Sequence, residues 1–133
     1  MGRDYAERAR ALVGTRFRPQ GRDADGLDCI GVIVATFAID PASVRNDYRL
    51  RSAATDEFEQ ALRLQFRKVP LRQLRPGDVM LMSIDAQQVH LGVRTAAGFV
   101  HAHAGLRRVV ETPGLPQWPL RGAYRKRIRG GGR

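Results

Sequence analysis

The sequence predicts an α+β domain in which helices pack on one face of a single antiparallel sheet. Three observations lead there. Helical spacing of apolar residues is confined to the first half of the chain and ends near Phe66. After the turn signal Arg75-Pro76-Gly77-Asp78 the pattern changes to short apolar runs of strand length. The 133 residues, 43% hydrophobic and 27% charged, suffice for one core and leave no room for a second full domain.

Asp4 is placed to cap a first helix, in which Tyr5, Ala6, Ala9, Leu12 and Val13 recur at roughly helical spacing until Gly14. From Thr15 to Gly26 the composition shifts to Arg, Gly, Asp, Pro and Gln, with Phe17 the one large apolar residue, which is loop chemistry. Cys29 to Ile39 is an uncharged run rich in β-branched residues, and propensity alone favours a strand. Its length argues for a helix, and Asp28 and Asp40-Pro41 are a fitting cap and stop, so a helix buried on most sides is expected. Residues 41–54 have no periodicity and read as a surface connection. Asp56, Glu57 and Glu59 favour the positive end of a helix dipole, with Phe58, Leu62 and Phe66 on one face, predicting a third helix over 56–66. Strands are expected at Val79–Ser83, Val89–Arg94, Phe99–His103, Arg108–Thr112 and Ala123–Ile128, spaced for an antiparallel meander. The domain is expected to span 1–128, followed by a disordered, basic, glycine-rich tail over 129–133.

Lys and Arg outnumber Asp and Glu by 23 to 13, a net charge of +10 carried almost wholly by arginine. Acidic partners are the default expectation. The arginines are scattered rather than gathered into one basic element with interleaved aromatics, and aromatics are only 7%, so no specific nucleic-acid interface is expected. An anionic polymer such as the cell wall, or an acidic protein partner, fits the charge better. The longest uncharged apolar run is about half of the ~20 residues a membrane span needs, so no membrane insertion is expected. The first residues lack the apolar stretch of a secretory signal, which points to synthesis in the cytoplasm without a signal peptide. A single cysteine excludes a disulfide within the chain.

That cysteine, Cys29, stands where a loop enters the expected central helix. Amides at a helix start favour a thiolate, the nucleophilic form. The bland alternative is a small buried hydrophobe. His90 lies in one expected strand and His101 in the next, and a hairpin turning at 95–98 brings them almost opposite one another. One imidazole can then serve as a general base and the other can orient it, although each is equally well read as a hydrogen-bonded structural histidine. His103 shares a strand face with His101. Cys29, His90, His101 and His103 could form a zinc site, but a second cysteine and paired-ligand spacing are missing, so no metal and no cofactor are expected.

Taken in order, several segments resemble the motifs of the NlpC-type cysteine peptidases, papain-like enzymes that cleave peptidoglycan stem peptides. They are Gly14-Thr15-Arg16-Phe17-Arg18 through Gly21-Arg22 to Asp25-Gly26-Leu27-Asp28-Cys29-Ile30-Gly31-Val32, then Leu74-Arg75-Pro76-Gly77-Asp78-Val79, Val89-His90-Leu91-Gly92-Val93, and Gly98-Phe99-Val100-His101-Ala102. The resemblance runs from about residue 5 to residue 127. Phe17-Arg18-Pro19-Gln20-Gly21-Arg22 and His101-Ala102-His103, with Val109-Val110-Glu111, Trp118 and Tyr124-Arg125, look closer to the phage-tail and gene-transfer-agent branch. What the resemblance implies is a papain-like fold with Cys29 as nucleophile, His90 as base, His101 as the residue that orients the base, and Asp28 as an aid in holding the substrate's amino group. It implies acyl transfer on a stem-peptide amide, with a γ-D-glutamyl to diaminopimelate bond as target and the Cys29 backbone amide as an oxyanion donor. It also implies other phage-tail-like proteins as partners, in a particle acting on the cell wall. Two positions depart from the pattern. Ile30 stands where Ser is typical, and Phe17 stands where many members have a Tyr whose hydroxyl is associated with the cleft. Phe17 is therefore a candidate substrate-binding position, and it is the only hint of the alternative, a noncatalytic tail-tip or wall-binding module with the same fold.

Overall fold

In the computed structural model, which describes residues 2–19, 21–23, 26–40, 55–85 and 88–127, the elements run α1 (Gly2–Arg10), β1 (Arg22–Asp23), β2 (Gly26–Leu27), α2 (Cys29–Phe37), α3 (Thr55–Gln65), β3 (Phe66–Val69), β4 (Val79–Asp85), β5 (Gln88–Arg94), β6 (Gly98–His103), β7 (Arg108–Pro113) and β8 (Leu120–Lys126). A 3-10 turn covers Leu71–Gln73. The expected surface connection over 41–54 and the tail over 129–133 lie outside the described residues. The α+β architecture is as the sequence predicts: among the described residues there are three α-helices and a six-stranded antiparallel sheet in the order β3-β8-β4-β5-β6-β7. No helix among the described residues is long and apolar enough to cross a membrane.

Several expectations need correction. The first helix begins at Gly2, so Asp4 lies in its first turn rather than at the cap, where it still favours the dipole. The meander holds for β4 to β7, but β8 crosses back and inserts between β3 and β4. Phe66 does not end the third helix. It opens β3, an edge strand that sequence reading missed, and its fully buried ring meets Phe37 edge-on at 5.0 Å. A four-residue strand directly after a helix leaves too little alternation to signal itself.

α2 is the organising element. Eight of its nine residues are buried, among them Val32, Ile33, Val34 and Phe37. β-branched residues are indifferent helix formers, and burial overrides that: each such side chain gains about 1.5–3 kcal/mol on leaving water, against a few tenths lost to propensity. Asp28 caps the helix, its Oδ1 accepting from the Gly31 amide at 2.7 Å. The helix ends before Asp40, at Ala38, which takes the left-handed conformation (φ 54°, ψ 42°) and donates its N–H to the Val34 carbonyl. α2 packs on α1 and on β5 and β6.

Alternation along β4 divides the sheet's two faces. Val79 and Leu81 join α2, Leu91, Val93, Val100 and Tyr124 in the larger core. Met80 and Met82 turn the other way and cluster with Phe99 under Leu74, Trp118 and Leu120. The Arg75-Pro76-Gly77-Asp78 turn is a structural lock. Buried Asp78 accepts from the Arg75 amide at 3.0 Å and from Arg125 Nε and Nη2 at 2.8 and 2.9 Å, tying the entry of β4 to β8. At the far edge the segment after α1 covers β7: Gly14 donates to the Val109 carbonyl and Val109 to that of Thr15. This protected edge carries Phe17 to the site.

Candidate active site

Cys29 is the first residue of α2 and is only 2% exposed. Its position depends on the Asp-Cys-x-Gly spacing. Asp28 caps the helix through the Gly31 amide, and a Cβ on Gly31 would lie 2.1 Å from the Gly21 carbonyl oxygen. A side chain there would push the 16–28 loop away from the helix start, because the obstacle is backbone and cannot swing aside. Glycine is thus required by close approach, not by helix formation.

His90 is on β5 and His101 on β6. These strands are laddered only through Val93↔Val100 and Arg94↔Phe99. From that register, alternation sets His90 on the same face as Phe99, His101 and His103, with His90 and His101 on a diagonal rather than opposite. Their rings close the diagonal: His90 Nε2 and His101 Nδ1 are 2.9 Å apart, with centroids at 5.1 Å and planes at 80°. The second nitrogen of His101, Nε2, is 2.9 Å from Thr112 Oγ1 on β7. Phe99 packs against His101 at 4.6 Å, and Trp118 lies edge-on to His90 at 5.7 Å and to His101 at 6.1 Å. His101 is only 2% exposed, and His90 is half-buried where it faces the cleft. Burial, then the neighbouring His101 and His103, pushes His90 down to about 3, and burial followed by His103 pushes His101 down to about 4. Both are neutral at physiological pH.

Cys29, His90 and His101 line one cleft of about 400 Å³. Phe17, Pro19, Asp28, His103, the Ala104-Gly105 turn and Trp118 line it too. Phe17 is half-buried and contributes a ring with no hydroxyl. Asp28 Oδ1 is engaged in capping, so this carboxylate has a structural duty as well as a place at the cleft. Among the described residues no group of three or more His, Cys, Asp or Glu side chains is arranged to hold a metal ion.

Sequence reading missed Thr112 and Trp118 as parts of the site. Thr112 was within reach: a tight turn pairing His103 with Arg108 sets Phe99 opposite Thr112 and Thr112 diagonal to His101. Trp118 sits in the irregular segment before β8, where no periodicity exists to orient a side chain.

Comparison with solved structures yields NlpC1 from Trichomonas vaginalis at TM-score 0.69, 16% identical over 96% of this chain and 45% of that one. The NlpC/p60 domain of the peptidoglycan hydrolase SagA matches at TM-score 0.62, 16% identical over 85% of this chain and 89% of that domain. The P60 domain of the Mycobacterium avium subspecies paratuberculosis antigen MAP1204 matches at TM-score 0.61, 19% identical over 94% and 96%. The chain has the NlpC/P60 fold. It spans about half the length of the Trichomonas protein and nearly the whole of the M. avium domain. No protein-family model and no curated protein matches the sequence.

Proposed function

We propose that this NlpC/P60-fold protein is a cysteine endopeptidase that hydrolyses peptidoglycan stem peptides at the γ-D-glutamyl to diaminopimelate bond, as a component of a phage-tail-like particle. The observation that carries the reading is the alignment of a helix-start cysteine and a doubly hydrogen-bonded histidine pair on one cleft. The fold of wall-hydrolase domains supports the substrate class.

The hydrogen bonds define the chemistry. His90 Nε2 is engaged by His101, so Nδ1 is the nitrogen available to the thiol. It can accept a proton only if Nε2 carries the ring hydrogen, which then points to His101 Nδ1. His101 in turn carries its hydrogen on Nε2, directed at Thr112 Oγ1. In this arrangement neutral His90 takes the Cys29 proton as Sγ bonds to the amide carbon and the carbonyl oxygen becomes anionic. That oxyanion forms at the positive end of α2, where the Cys29 backbone amide lies. The buried surroundings oppose a lone cation on His90, so the proton arrives together with the negative charge beside it. Collapse breaks the C–N bond, His90 delivers the proton to the leaving amine, and a thioester remains. Water then attacks the thioester with His90 as base and regenerates the thiol.

Purified peptidoglycan incubated with the protein and examined by mass spectrometry for new amine termini tests this. Wild type should release fragments, and Cys29→Ala should be slower by about a thousandfold or more. Unchanged release by Cys29→Ala would defeat the mechanism. Wall binding without release by wild type would leave the noncatalytic module.

A further inference from the structure

The edge of the sheet beyond the cleft carries arginines where the backbone disfavours them. Arg108 opens β7 as the ladder partner of His103, and Arg16, in the segment after α1, is in turn the antiparallel bridge partner of Arg108. Ladder partners point to the same face of a sheet, so His103, Arg108 and Arg16 form one row at the ~4.8 Å spacing of neighbouring strands. Like charges directly opposite across a ladder repel. The turn ahead of β7 holds Arg107 in the left-handed conformation, φ 60°, which glycine and asparagine adopt at less cost. Its carbonyl accepts the Phe17 amide at 2.9 Å, so this residue too is held against the 16–18 segment.

Arg18 completes the group. Phe17 packs on the larger core, and the exposed residues on either side of it, Arg16 and Arg18, alternate away from that core. The Arg18 stem crosses Gly26, where a Cβ would lie 2.4 Å from Arg18 Cβ and 3.2 Å from its Cδ. Glycine at 26 therefore makes room for an arginine. All four arginines are exposed, and among the described residues none of them is in an ion pair. Glu111, the acid of β7, is engaged by Arg10 at 3.2 Å and by Thr95 at 2.6 Å. Uncompensated positive charge, a repelling pair and a left-handed arginine are all local costs on one small surface, and such costs collect where a surface is used.

None of the four lines the cleft, whereas His103 does, so the row runs outward from the cleft rim. We propose that this outer face is a docking surface for the anionic polymer that carries the substrate. Neighbouring stem peptides of the wall are held there through their free carboxylates by Arg16, Arg18, Arg107 and Arg108, while one stem occupies the cleft. The choice of polymer rests on the peptidase reading above. A γ-linked glutamyl-diaminopimelate stem has more free carboxylates than free amines, so the wall is a polyanion around whichever stem is being cut. Guanidinium groups meet carboxylates as planar forks with two donors. Phe17, the aromatic residue among the four, turns to the core and offers no platform for a base, which separates this face from a single-stranded nucleic-acid groove. Several weak contacts on one polymer raise the effective concentration of stems at the cleft, so intact wall is favoured over a free stem peptide.

Co-sedimentation of full-length Cys29→Ala protein with purified diaminopimelate-type sacculi, either native or with their carboxylates converted to amides, tests this without cleavage. Native sacculi should bind about tenfold tighter or more, and the gap should shrink from roughly 50 to 500 mM salt. Adding Arg16→Gln with Arg108→Gln should narrow the gap to about threefold or less, whereas Arg16→Lys with Arg108→Lys should keep most of it, because charge survives. Arg67→Gln with Arg72→Gln removes the same charge at the β3 edge, on the opposite side of the sheet, and should leave the gap within about twofold of its original size. Equal binding to native and amidated sacculi, binding to neither, or a like loss in the two glutamine pairs overturns the docking surface. Preference for duplex DNA over native sacculi at matched charge assigns the face to nucleic acid and overturns it too. A loss confined to Arg16→Gln with Arg108→Gln, in a protein whose wild type releases no fragments, upholds the surface and overturns the peptidase reading.

Discussion

Lowering the pH from 7 to 5 should cost this protein an unusual share of its stability, because of two side chains. An imidazole in the unfolded chain takes up a proton near pH 6.5, whereas burial pushes His90 to about 3 and His101 to about 4. Between those limits the unfolded state binds protons that the folded state refuses, so stability rises with pH throughout that window. It is fully present above pH 6.5 and is lost as the pH falls toward the folded values. At pH 5 the unfolded rings are about 1.5 units below their pKa while the folded rings are still neutral. At about 1.4 kcal/mol per unit, each ring forfeits roughly 2 kcal/mol and the pair roughly 4. That is a large fraction of the roughly 5–15 kcal/mol that holds a domain together. Urea denaturation at both pH values, on wild type and on His90→Gln/His101→Gln, isolates the rings, since carboxylate contributions cancel in the difference. Wild type should lose about 4 kcal/mol more than the double variant. Equal losses would refute the neutral buried pair, and with it the base assigned to His90. Ring proton shifts assigned to His90 or His101 that move between pH 7 and 5 would do the same.

Removing the hydroxyl that holds His101 Nε2, with Thr112→Val, should lower kcat/KM on stem peptides about tenfold, while Thr112→Ser should keep near wild-type rates. Asp78→Ala strands the Arg125 guanidinium and the Arg75 amide together and should destabilise the fold by about 3–5 kcal/mol in chemical denaturation. Ala38→Gly relieves a left-handed residue at the exposed end of α2 and should raise stability by about 1 kcal/mol, seen as an upward shift of the thermal midpoint.

Local signals carried a large part of the fold. Asp28 as a cap and the length of the Cys29–Ile39 run settled a helix that its β-branched content argued against, and α2 with its Asp28 to Gly31 bond is that helix. Turn chemistry at 75–78 and 95–98 marked the start of β4 and the end of β5. The same reading failed at Phe66, where helix passes into strand without a turn residue between. At the site, residue type and strand parity brought Cys29, His90 and His101 forward, and a hairpin estimate near 95–98 came within a diagonal of the actual contact. The Arg-Pro-Gly-Asp segment illustrates the reverse, since a motif quoted for its resemblance to an enzyme turns out to be a buried ion pair that joins two strands.

What the sequence determined alone was whatever depends on neighbours a few residues away: caps, turns, periodicity, and which face each side chain takes once a strand is granted. Only the tertiary structure decided the return of β8 between β3 and β4, the Trp118 cover, and the Thr112 hydroxyl on His101. Those pairings join residues far apart along the chain. Their free energy comes from burial and from sheet edges left open after the helices have docked, quantities that exist only in the assembled core and leave no trace in any local window.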